Sequence, residues 1–208
     1  MVDMPHTNDY RTRLLASLGS LLERQSLLDI TIADIVREAR VSKRTFYEQF
    51  PNKEDCFVSL FRQHADILLD IVGSALAVPG LALEARLEHG FRTFLTTLTA
   101  QARLLSRLYI DILSLGATGI QVREEANRQF AGLLAHTIEA ERERLPGLQI
   151  DEQMLLCVVT GVNELVLYRI EQGEIASLPD LTPTAQRLLA GALHEMLRPV
   201  SREATVGA

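Results

Sequence analysis

The chain has 208 residues, 47% of them apolar, 23% charged and 5% aromatic. This composition excludes a disordered chain and suits one compact soluble unit, or two small ones sharing a core, that can bury about 70% of its unfolded surface without a disulfide or metal staple. The formal charge of −6 argues against a general nucleic-acid binder of the histone kind, yet the acid is unevenly spread. Residues 1–64 carry 9 Lys/Arg and 9 Asp/Glu, whereas residues 65–208 carry 12 against 18.

Cys56 and Cys157 stand far apart with no CxxC or Cys/His spacing, which predicts reduced thiols, a cytoplasmic protein and no metal site. The opening MVDMPHTNDYR has no apolar signal-peptide core. The longest uncharged apolar-rich stretch, residues 71–83, is interrupted by Pro79 and Gly80, so neither secretion nor a membrane span is expected.

Sustained period-2 alternation is absent, and apolar residues recur at steps of three and four, so the fold class is all-α. Tyr10, Leu14, Leu15, Leu18, Leu21 and Leu22 form one stripe on a first helix of about 15 residues. Thr31 reads as the N-cap of a short second helix, with Asp34 three positions on completing a capping box and Ile32, Ile35, Val36 and Ala39 as its apolar stripe. Beyond residue 52, Pro and Gly punctuate the chain at 79–80, 116–119, 146–147 and 173–183. They leave segments of roughly 25, 35, 27, 22 and 15 residues. The second of these, residues 81–115, exceeds a usual globular helix and is expected to break at 99–101, giving six helices after the first three. The tail from Pro199 is expected to fray.

The stretch 31–50, TIADIVREARVSKRTFYEQF, spells a short helix, a tight turn at 39–41 and a second short helix capped by Ser42. This is helix-turn-helix arithmetic: a first helix short enough to lie across a DNA backbone, and a turn tight enough to project the second with its N-terminus toward base edges. Phe46 and Phe50, four apart, anchor the second helix and leave Lys43, Arg44, Thr45 and Tyr47 outward. Arg44 can fork onto guanine O6 and N7, Lys43 can reach the same edges or a phosphate, Thr45 offers a hydroxyl or methyl, and Tyr47 can donate to phosphate. Asn52 starts a further helix whose amides, with Lys53, can also meet phosphate. Glu48 must keep to the far half of the helix or accept from a cytosine amine. The same residues also suit the solvated face of an ordinary surface helix.

The stretch resembles the DNA-binding domain of TetR-family transcriptional regulators. That family's approximate pattern T-h-x-x-I-h-x-x-A-G-V-S-x-x-T-h-Y-x-x-F-x-x-K-E is met in register by Thr31, Ile35, Ala39, Val41, Ser42, Thr45, Phe46, Tyr47, Phe50, Lys53 and Glu54. The turn glycine is replaced by Arg40, which must adopt the left-handed conformation or relax the turn. Gln49 stands where the family often has His. The resemblance covers residues 8–67 and implies a helix-turn-helix DNA-binding domain there. The DNA-binding set it implies is Thr31, Arg40, Ser42, Lys43, Arg44, Thr45, Tyr47, Gln49 and Lys53. A helical domain over 68–208 would dimerise and hold a small-molecule effector. The partners implied are a double-stranded palindromic operator, a second copy of the chain and that effector, with no further cofactor and no membrane.

Residues 154–170 are apolar around most of the helix, and 188–197 carry a wide apolar stripe, so both helices need partners on more than one side. An isologous four-helix dimer interface would use Val158, Val162, Leu165, Leu189, Leu193 and Met196, with Gly161 permitting close approach. Burial of both helices within one monomer is the alternative. Polar residues among apolar ones, His89, Arg92, Tyr109, Asp111, His136, Asn163, Glu164 and Tyr168, include effector-binding candidates. Of these, His89, Arg92, Tyr109, Asn163 and Tyr168 are the effector-binding candidates, and Phe91, Phe94, Tyr109, Phe130 and Tyr168 are the large wall elements or, equally, plain core.

Enzyme motifs are lacking. His194-Glu195 opens like a zincin, but Arg198 occupies the second His position, and there is no GxSxG, phosphate loop or GxGxxG. The expectation is a ligand-responsive, dimeric, DNA-binding repressor. The alternative is a helical dimeric protein-interaction module.

Overall fold

A computed structural model describes residues 7–198. Among the described residues there are nine α-helices and no strand. They are α1 (Thr7–Leu22), α2 (Ile32–Ala39), α3 (Lys43–Gln49), α4 (Lys53–Leu76), α5 (Leu83–Ala100), α6 (Ala102–Asp111), α7 (Ala117–Glu139), α8 (Glu152–Glu171) and α9 (Thr182–Met196). The tail expected to fray lies outside the described residues.

The local signals act as their chemistry dictates. The Thr31 hydroxyl accepts from the Asp34 amide while the Asp34 carboxylate accepts from the Thr31 amide, a closed capping box that begins α2. The Thr31 hydroxyl, donating to Asp34, holds that carboxyl below its ordinary pKa. Arg40 takes the left-handed conformation, φ 54° and ψ 46°, so the turn keeps the geometry a glycine would give it. The Arg13 guanidinium donates to the carbonyls of Ala39 and Arg40 and thereby satisfies the end of α2. The expected break of the 81–115 segment falls at Gln101, just after Thr97 and Thr99 donate their hydroxyls back to the carbonyls of Thr93 and Leu95. Gly116 ends the next turn at φ 56° and ψ −130°, a region open in practice only to glycine.

The apolar side chains form one contiguous core from Leu14 on α1 to Met196 on α9. Helix α4 belongs to both ends of it. Its Leu60 meets Gly19 of α1, while its Gly73 meets Leu133 of α7 and its Leu76 lies over Gly90 of α5, where an added Cβ would come within 2.6 Å. The border expected at residues 67 and 68 therefore falls inside a continuous helix that ties a front unit, α1–α3, to a rear bundle, α5–α9.

Helix α8 is long and apolar enough to span a bilayer by length and composition alone. Leu155, Val158, Val159, Val162, Val166, Leu167 and Ile170 are instead buried inside the protein, as in the core helix of a bundle. The monomer-burial alternative thus holds for much of the apolar surface assigned to a dimer contact. Val158, Val162, Leu189 and Met196 are 6%, 3%, 2% and 4% exposed within a single chain and have no free face to offer a partner. Leu193 is half-buried, and Leu165 alone of that set is exposed. On these two helices the large apolar side chains that face outward are Leu165 and Tyr168 of α8 and Leu188 of α9, beside Gly161 and Gly191, which have open space where a Cβ would be.

Candidate nucleic-acid interface and interior cavity

Helix α3 rests on two fully buried rings. Phe46 and Phe50 are 0% and 2% exposed, with ring centroids 5.8 Å apart, and the Arg11 guanidinium sits 4.4 Å over the Phe50 ring while donating to the Ser59 hydroxyl at 2.9 Å. The Ser42 hydroxyl accepts from the Thr45 amide at 3.0 Å and starts the helix. With that face down, Lys43, Arg44 and Tyr47 are exposed, Thr45 and Gln49 are half-exposed, and Arg40 projects from the preceding turn. Tyr47 packs edge-on against Phe46 at 5.6 Å, which aims its hydroxyl outward from a fixed ring.

Three side chains here differ from the sequence expectation in their partners. Glu48 does not keep apart from the basic residues: Arg44 Nε donates to its Oε1 at 3.0 Å, one turn along the same helix. Such an exposed pair is worth little, so Arg44 is easily released to a base edge. The Thr45 hydroxyl lies 2.9 Å from that of Ser42. Lys53 turns inward, its ammonium donating to the carbonyls of Leu27 at 2.7 Å and Ile30 at 2.8 Å, so at most one of its three N–H groups remains for a phosphate.

The rear bundle holds two small adjoining chambers, partly open to solvent, that share Phe94, Phe130 and Asn163. The first, about 40 Å³, is walled by Val72, Leu76, Leu87, Phe91, Leu133, Leu134, Val159 and Val162. The second, also about 40 Å³, is walled by Phe61, His64, Leu68, Leu105, Leu108, Tyr109, Ile112, Arg123 and Asn127 among others. A chain of neutral polar groups lines the second chamber and reaches the first through Asn163. The Tyr109 hydroxyl donates to Asn163 Oδ1 at 3.0 Å, Asn163 Nδ2 donates to Asn127 Oδ1 at 2.7 Å, and Asn127 reaches the Thr160 hydroxyl at 3.5 Å. Burial pushes the Tyr109 phenol above its ordinary pKa, with Arg123 opposing the shift only in part, so the group is a neutral donor at physiological pH. Arg123, also at the second chamber, pairs with Glu164.

Of the five effector candidates, the structure brings Tyr109 and Asn163 together. His89, Arg92 and Tyr168 lie on the outer surface, Arg92 paired with Glu88 and Tyr168 58% exposed. Each follows apolar spacing only loosely and falls on the outer side of its helix. Asn127, His64 and Phe61 were missed. Asn127 had a legible signal, since it shares a helical face with Arg123, Phe130 and Leu134 at steps of four, three and four.

A family model described as bacterial regulatory proteins, tetR family, matches residues 15–60, a span that holds α2, α3 and the start of α4. The transcriptional regulator EthR of Mycolicibacterium smegmatis is 28% identical over 216 aligned positions, covering 98% of this chain and 91% of that protein. EthR of Mycobacterium tuberculosis is 26% identical, covering 85% and 82%. The chain resembles TetR-family transcriptional regulators. Its fold is also that of Thermus thermophilus FadR, solved with lauroyl-CoA, at a TM-score of 0.70 and 22% identity over 95% of this chain and 99% of that one. Bacillus subtilis FadR, solved with stearoyl-CoA, superposes with a TM-score of 0.72 at 16% identity, covering 88% and 99%. The family match and the EthR relatives support a DNA-binding transcriptional regulator in preference to a protein-interaction module.

Proposed function

We propose that this regulator is an effector-released repressor that holds a palindromic operator as a homodimer in the cytoplasm, without catalysing a reaction. The observation that carries the reading is α3 itself, a helix seated on Phe46 and Phe50 that presents Lys43, Arg44 and Tyr47 to solvent. In this reading Lys43 and Arg44 read base edges, and Arg40, Ser42, Thr45, Tyr47 and Gln49 contact the backbone with the exposed Thr31 beside them. Lys53 acts chiefly by holding the turn before α2. Two copies, paired through the exposed Leu165, Tyr168 and Leu188 faces with Gly161 and Gly191 allowing close approach, set two α3 helices about 34 Å apart on successive major grooves. An elongated apolar effector carrying one neutral hydrogen-bonding group suits this lining and would enter by widening the two chambers, because Phe91, Phe94 and Phe130 wall them and Tyr109, Asn127 and Asn163 supply neutral donors and acceptors. Long acyl groups in the solved FadR relatives support that class of ligand.

The test is selection from a random duplex pool at near-physiological salt, with wild type and the Lys43→Ala/Arg44→Ala double variant side by side. The expected result is an enriched inverted repeat whose affinity falls about 10- to 100-fold in the folded double variant, as loss of a bidentate base contact at about 1–3 kcal/mol predicts. Retention of duplex without enrichment, vanishing as salt rises, would overturn it.

A further inference from the structure

We propose that Asp111 is a positioning residue that sets the orientation of the DNA-reading unit on the rear bundle, acting through the turn that precedes α2. The proposal rests on the regulator reading above for its consequence on DNA, although the contact itself can be tested without DNA.

Asp111 ends α6 and is 6% exposed, an uncommon place for a carboxylate. Its Oδ2 accepts from the Leu27 amide at 2.8 Å, a buried bond between residues 84 positions apart. Leu27 opens the 3-10 turn Leu27–Asp29 that joins α1 to α2. The turn's own N-cap, Ser26, leaves that duty unfilled, because its hydroxyl donates to the Asp29 carboxylate instead. A carboxylate from the other unit therefore caps the amide end of the turn, where negative charge is favoured and the hydrogen bond is charge-assisted.

The opposite end of the same turn is held by Lys53, whose ammonium donates to Leu27 O and Ile30 O. Lys53 is the first residue of α4, three positions after α3 closes at Phe50. Leu27 is thus gripped on its amide by the rear bundle and on its carbonyl by the helix that follows the DNA-reading one. A lost acceptor here would strand a buried amide, and a shift of about 1 Å in α6 would stretch the bond past hydrogen-bonding range.

Tyr109 lies two residues before Asp111 on the same ten-residue helix. Two residues are about 200° of helical rotation, so the pair faces opposite ways. Tyr109 reaches Asn163 in the cavity while Asp111 reaches Leu27 in the front unit. One short rigid element therefore has a polar foot in each half of the molecule.

Three full-length variants test the assignment. Asp111→Asn keeps an acceptor in place, Asp111→Glu keeps the charge but displaces it by a methylene, and Asp111→Leu removes the acceptor at similar volume. The readouts are the ratio of affinities for the selected operator and a scrambled duplex, measured where circular dichroism shows each variant folded, and the exchange rate of the Leu27 amide. The operator ratio is expected to fall at least tenfold in Asp111→Leu and about threefold or more in Asp111→Glu, and to stay within about twofold of wild type in Asp111→Asn, with scrambled-duplex binding unchanged. Leu27 exchange is expected to accelerate at least tenfold in Asp111→Leu and to remain slow in Asp111→Asn. A wild-type ratio in folded Asp111→Leu overturns the proposal, and should that variant not fold, a wild-type ratio in Asp111→Glu does so. If wild type enriches no operator, the regulator reading fails separately, and Asp111 is judged by exchange alone: wild-type protection in Asp111→Leu, or in Asp111→Glu should that variant not fold, overturns its role.

Discussion

The front unit and the rear bundle spend their polar groups in opposite ways. In α1–α4 the polar side chains close helix ends: Thr31 and Asp34 start α2, Arg13 finishes it, Ser42 starts α3 and Asn52 starts α4. In the rear, Tyr109, Asn127 and Asn163 bond to one another inside a cavity, and several helices there, α5, α6, α7 and α9 among them, begin with no side-chain cap. Capping groups act through neighbours three residues away and make a rigid reading head. A polar chain in an apolar cavity specifies what can enter it and leaves the surrounding helices to be held by packing.

The largest expected effect tests how far the two regions are one folding unit. Phe46→Ala deletes a ring with no exposed surface. It should lower stability by about 3–5 kcal/mol. Because the core is contiguous, urea denaturation followed by circular dichroism should show a single transition at a lower midpoint. A separate early transition for the front unit would break the comparison into two independent domains.

Asn163→Ala probes the rear network, leaving the Tyr109 hydroxyl without its acceptor and Asn127 Oδ1 without its donor. A loss of about 1–3 kcal/mol in the same denaturation assay is expected. Alkaline titration sharpens the contrast between the two thiols. Cys56 in the front core is pushed up to about 12 from an ordinary 9.0 by burial, with Arg11 offsetting only part, whereas Cys157 is exposed on α8. The folded state keeps the Cys56 proton where the unfolded state has released it. The stability this group contributes is therefore complete below about pH 9 and lost as pH rises toward 12, at up to about 1.4 kcal/mol per pH unit. Cys56→Ala should flatten that slope, and a disulfide reagent such as dithionitrobenzoate should modify one thiol per folded chain and the second only on unfolding. The smallest effect is a gain. Arg40→Gly relieves a left-handed non-glycine residue and should add about 1 kcal/mol, raising Tm by about 2–4 °C.

What could be read in advance follows the same division. The capping box, the Ser42 cap and the break at Gln101 are set by residues within four positions of one another and are legible, whereas at Arg40 the sequence leaves a left-handed residue and a relaxed turn both open. The dimer face was legible as a need for partners but not as a set of residues. Val158 and Val162 lie on the same apolar helix as Leu165, and no spacing rule says which side α7 and α9 will cover. Three of the five effector candidates failed for the same reason. His89, Arg92 and Tyr168 are polar residues among apolar neighbours, as Tyr109 and Asn163 are, and only the packing of α5–α8 sorts inner from outer.

The amino-acid sequence by itself determined the helices, their ends and the DNA-reading motif, because hydrogen bonds and side-chain periodicity act over one or two turns of chain. Tertiary structure alone decided that Lys53 turns inward to Leu27 and Ile30, that Asn127 completes a chain with Tyr109 and Asn163, and that Asp111 is spent on an amide 84 residues away. Those partners are brought together by the closing of a shared core, and a buried polar group bonds to whatever that closure leaves within its reach.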